Sequence, residues 1–112
     1  MLDAYRRNQL NAESPRAMER RLLAEITSEI VTASEKGLRG PALISALHRN
    51  RELWAVLQAA CLDDENRLEE RTRATIVSLA LWVNRFTSQV VAGSEDAEPL
   101  IEVNRAMISA LG

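Results

Sequence analysis

A chain of 112 residues with 46% hydrophobic and 27% charged residues has the balance of one globular domain and excludes a disordered, charge-rich polymer. A formal net charge of -2 excludes a strongly basic protein that would bind nucleic acid by neutralising phosphates. Cys61 is the sole cysteine, so the fold rests on packing without an intrachain disulfide. The amino terminus carries Asp3, Arg6 and Arg7 where a secretory leader has its apolar run, and the longest apolar stretch, residues 76–83, is broken by Ser78. A bilayer-spanning helix needs about 20 apolar residues, so no membrane insertion and a cytoplasmic location are expected. Arginine and lysine outnumber aspartate and glutamate nine to six in residues 1–51, and fall behind five to ten in residues 52–112. Such an asymmetry could orient a partner, but its size is modest and a solvated surface accounts for it equally well.

No alternating β-branched run lies between turn signals, so the elements are read as helices. Residues 3–11 form a short amphipathic stretch, with Tyr5 as its docking residue, too short to be stable by itself. Ser14 and Pro15 open the next helix as cap and first helical residue, and Gly37 ends it. Met18, Leu22, Ile26 and Ile30 recur along it at four-residue steps, flanked by Leu23 and Val31, as a stripe to be buried. After Gly40 and Pro41 come Leu43, Ile44 and Leu47, then Leu53, Trp54, Val56 and Leu57. The polar residues 48–52 between them read as a bend between two short helices, although one exposed face of a continuous helix has the same pattern. Residues 62–66 are an acidic link, and Asn66 with Glu69 matches a capping box for the next helix.

That helix carries Leu68, Ile76, Leu79, Trp82, Val83, Phe86 and Val90 on one broad side and stops at Gly93. Its run 76–83 is apolar almost all round and places Trp82 in the core; Trp54, beside polar residues, stands between core and surface. Pro99 sits in the first turn of a last helix with Leu100, Val103, Met107, Ile108 and Leu111 inward. The whole reads as an all-α, compact single-domain bundle of about five to six helices over residues 1–112.

Catalytic equipment is missing from the sequence. His48 stands alone beside Arg49 and Arg51, Cys61 has no cation beside it to favour a thiolate, and Asp63, Asp64 and Glu65 lack the spacing of a calcium loop. No glycine-rich phosphate loop, zinc ligand pattern or nucleophile elbow occurs. A binding protein without cofactor or metal is expected. Polar anchors beside apolar surface mark the candidate contacts: Asn50, Arg51 and Trp54, the pair Asn84 and Arg85, the repeated pair Asn104 and Arg105, and Tyr5 at the amino terminus. The same Asn-Arg pairs can equally brace neighbouring helices.

The segments SPRAMERRLL at 14–23, ALHRNRELWAVL at 46–57, IVSLALWVNRFTSQV at 76–90 and PLIEVNRAM at 99–107 resemble the FlaF family of alphaproteobacterial flagellar biosynthesis regulators, in order and over nearly the whole chain. The chain departs from the family pattern near His48, where an aromatic or acidic residue is usual, and at Phe86, where tyrosine is more frequent. The helix stops at Gly37, Gly40 and Gly93 imply a monomer or weak dimer. The resemblance implies a secretion chaperone and regulator that binds flagellin and works alongside the regulator FlbT. A helix-in-groove contact suits such a task. Two other readings stand beside it. One is direct contact with flagellin messenger RNA through Arg6, Arg7, Arg16, Arg20 and Arg21, which lacks the several stacking aromatics that single-stranded RNA readers use. The other is a structural flagellar component, which requires a large self-association surface.

Overall fold

Ser14 caps the first of four helices: its side chain accepts from the Ala17 amide at 3.1 Å, with Pro15 in the first helical position. The computed structural model describes residues 13–37 and 40–112; the amphipathic segment 3–11 and Tyr5 lie outside the described residues. The helices are α1, Pro15–Glu35; α2, Pro41–Cys61; α3, Glu70–Val91; and α4, Glu98–Leu111. Gly37 and Gly93 follow α1 and α3 with φ of 65° and 82°, a conformation that costs glycine nothing. After α3 the Gly93 amide donates to the Val90 carbonyl and the Ser94 amide to that of Gln89, both at 3.0 Å, which closes the helix as a Schellman motif.

Short links turn each helix back on the one before. Helix α1 packs on α2 and on α4, α2 packs on α3, and α3 touches α4 least of these neighbouring pairs. The core between them is built from Leu23, Ile26 and Ile30 of α1, Leu47, Trp54 and Leu57 of α2, Ile76, Val83 and Val90 of α3, and Leu100, Ile101 and Met107 of α4.

Four expectations change. The described residues hold four helices, fewer than five to six. The region 41–61 is one unbroken helix: nothing in residues 48–52 breaks a helix, and the run is polar because it wraps the whole circumference. His48, Arg49 and Glu52 are exposed, Arg51 is half-buried, and Asn50 alone is fully buried. Asn66 does not cap α3, which begins at Glu70; its side-chain Nδ2 instead donates to the Ala60 carbonyl at 2.8 Å, and its Oδ1 accepts from the Leu68 backbone amide at 2.8 Å. Met18 is 44% exposed. Each four-residue step advances the helix face by about 40°, so Met18 lies far round the circumference from Ile30.

The tryptophans also exchange roles. Trp54 is 1% exposed, and its Nε1 donates to Asn104 Oδ1 at 2.9 Å. Trp82 is half-buried and stacks on Phe86 with ring centroids 4.8 Å apart. Asn104 is itself fully buried and donates through Nδ2 to Thr27 Oγ1 at 3.0 Å and to Asn50 Oδ1 at 2.8 Å. One side chain of α4 thus holds α1 and α2 together.

Truncating a buried tryptophan costs about 3 to 5 kcal/mol, and each buried polar group left without a partner about 1 to 3 kcal/mol. In urea unfolding, Trp54→Ala and Asn104→Ala are both expected to remove a large share of the stability, and Trp82→Ala distinctly less. Equal losses from the two tryptophan variants would contradict this arrangement.

Candidate functional site

Because α3 and α4 are joined by a link of only six residues, Ala92 to Ala97, they are close at that end and free to part at the other. There a groove of about 330 Å³ opens, lined by Leu68, Thr72, Thr75, Ile76 and Leu79 on the α3 side and by Ala106, Met107, Ala110 and Leu111 of α4. Arg16 of α1 and Arg71 of α3 also line it. The apolar side of α3 continues past the groove through Trp82 and Phe86, and that of α4 through Val103, all half-buried. Below Leu68 and Met107 the groove runs into a second hollow, lined also by Glu19, Leu57, Cys61 and the residues of the acidic link.

The electrostatics of this end are distinct. Burial pushes the Glu19 carboxyl above its ordinary range, against the pull of Arg16. Burial also pushes the Cys61 thiol up, with Glu19 adding and Arg73 opposing, so Cys61 is a packed thiol and not an activated nucleophile. Among the described residues the ion pairs are Arg21 with Glu13 and Glu25, Arg49 with Glu29, and His48 with Glu52. Arg16 and Arg71 belong to none of them. The described residues contain no group of three or more side chains able to hold a metal ion, and none of their helices is long and apolar enough to cross a membrane. The groove can bury apolar surface and neutralise negative charge.

A smaller cleft of about 180 Å³ lies at the opposite end, between Leu43, Ile44, Val90 and Val91, beside Glu95 and Asp96.

The sequence pattern of the family described as Flagellar protein FlaF matches residues 1–111. The chain belongs to the FlaF family. Neither a curated protein nor a solved structure matches it.

In this FlaF-family chain the residues marked out by sequence fall into three places. Asn50, Trp54 and Asn104 come together, but in the core, where they are 0%, 1% and 0% exposed. Arg51 braces α2 against α3, donating to the Asn84 carbonyl at 3.0 Å and to Ser88 Oγ at 2.7 Å. Arg85, Arg105 and the side chain of Asn84 are exposed. The groove residues Leu68, Leu79, Met107 and Leu111 all read as inward-facing in the sequence. The signal for a groove was the width of the apolar side of α3, which exceeds what its two neighbours cover.

The raised carboxyl of Glu19 carries a sign. Its ionised form is penalised in the folded chain, so the penalty is complete above its folded pKa and vanishes below the unfolded one. Glu19→Gln is therefore expected to raise the melting temperature slightly at pH 7, with the gain shrinking as the pH falls through that interval. A gain that persists or grows in acid would contradict the burial of this carboxyl.

Proposed function

We propose that this FlaF-family chain is a flagellin-binding chaperone, not an enzyme, and that it shields an assembly-prone helical segment of flagellin in the α3/α4 groove until export. Regulation of flagellin synthesis, with FlbT as a co-acting regulator, follows in this reading from whether the chaperone is occupied. The observation that carries it is the groove itself. Half-buried apolar side chains run along two adjacent helices that do not close on each other, and an exposed apolar strip of this kind is the usual mark of an interaction surface. An amphipathic helix laid along it would bury its apolar face where the filament would otherwise cover it.

The arrangement of the arginines gives the RNA reading little support. Arg21 is engaged by Glu13 and Glu25, and Arg20 donates from Nε to the Ile108 carbonyl at 3.4 Å. Arg16 faces an apolar groove without a stacking aromatic in its lining. Arg6 and Arg7 lie outside the described residues.

Calorimetric titration of the purified protein with its cognate flagellin tests the reading. Saturable binding is expected, and its absence at concentrations of about 100 μM would overturn the proposal. Ala106→Trp locates the site, because Ala106 is exposed and lines the groove. An indole there fills the groove without removing a core contact. Flagellin binding should be lost while melting stays unchanged; binding at full strength would move the site elsewhere.

A further inference from the structure

We infer that the groove recognises the carboxylate-bearing, C-terminal end of an amphipathic helix, taken up between Arg16 and Arg71 where α1 and α3 begin; this rests on the flagellin-binding reading. Both arginines occupy the second position of their helices, Arg16 after Pro15 and Arg71 after Glu70. The first turn of a helix carries positive partial charge and prefers acidic side chains. An arginine there is unfavourably placed within its own helix, and two such arginines at one end of one groove concentrate positive charge at its mouth.

Neither guanidinium has an ion-pair partner among the described residues. Glu19, one turn beyond Arg16, interacts with it through space but makes no ion pair with it, and Glu70 neighbours Arg71 on α3. In the lining of the groove itself Arg16 and Arg71 are the only charged residues, and the N-termini of their two helices add to them.

Apolar lining and a cationic mouth together specify the occupant. Its apolar stripe lies against Leu79, Met107 and Leu111, and its carboxylates follow at the end between the arginines. Guanidinium pairs well with carboxylate in the bidentate geometry. A partner helix also presents the negative end of its dipole at its C-terminus, so the orientation that places this end beside the starts of α1 and α3 runs antiparallel to α3.

The test compares flagellin titrations of the full chain carrying Arg16→Glu with Arg71→Glu, the lysine pair Arg16→Lys with Arg71→Lys, and Arg105→Glu as a charge-reversal control outside the groove lining. No residue of the ion pairs is altered, and circular dichroism melting verifies the fold of each variant. The glutamate pair is expected to weaken flagellin binding by about tenfold or more, since like charges then face each other, and to abolish the weakening of binding by added salt. The lysine pair should retain most of the affinity, and Arg105→Glu should change it by less than about twofold. If wild-type protein binds flagellin, Ala106→Trp abolishes binding and the glutamate pair binds unchanged with the same salt dependence, the charge inference fails while the groove reading stands. If the wild type binds no flagellin, the underlying reading fails. A wild-type dimer in sedimentation that the glutamate pair dissociates would show the occupant to be a second copy, which overturns the inference.

Discussion

The hydrogen bonds around Asn104 are the constraint on which the remaining structure depends. Helices α2 and α4 stand diagonally across the bundle, without the close backbone approach of neighbours, and two long polar reaches, from Trp54 and from Asn50, bridge them through one carboxamide. Thr27 enters from α1, accepting from Asn104 and donating its own hydroxyl to the Leu23 carbonyl at 2.6 Å. The Asn104 amide thus uses both hydrogens and its oxygen in a buried site where a missing partner is costly. Apolar side chains tolerate rotation and sliding because their attraction has no direction. A three-helix hydrogen-bonded hub does not, and it sets the rotation of α1, α2 and α4 together.

Helix α3 is absent from that hub. It is fixed instead by apolar packing on α2, by the guanidinium of Arg51 reaching the Asn84 carbonyl and Ser88, and by its short link to α4. Nothing polar locks its other side to α4, and there the groove lies. One wall is held by the hub, since Met107 lies one turn beyond Asn104 on the same helix, and the opposite wall is held by the Arg51 brace. Preformed walls reduce the ordering that binding must otherwise impose.

Much of the fold was legible because helical punctuation and periodicity are local. Ser14 with Pro15, Gly37, Gly93 and Pro99 mark boundaries that chemistry at those residues dictates. The continuity of α2 was not legible, because Asn50 reads as an interruption of an apolar pattern until its partner, 54 residues away, is seen. The same long-range pairing explains the tryptophans. Trp82 sits in the more apolar sequence yet faces the open seam, whereas Trp54 sits in the more polar one and is buried because Asn104 satisfies its indole. Asn50 and Asn104, two of the polar residues that local composition marks as contacts, belong to the hub instead. The groove is not legible in the sequence because its residues look like core, and only the failure of α3 and α4 to close distinguishes them.

That failure has an energetic reading. Leu79, Trp82, Phe86 and Val103 keep part of their apolar surface in water, although a modest rotation of α3 toward α4 would bury more of it. Rotation is opposed from two directions. It would pull the Asn84 carbonyl and Ser88 away from Arg51, and it would turn Ile76, Val83 and Val90 out of a core in which Val83 is already fully enclosed. Interiors are close-packed, so side chains cannot be withdrawn from them without leaving costly voids. The packing of α3 on α2 and the Arg51 brace thus hold the seam open, and the apolar surface along it stays uncovered while the core remains closed.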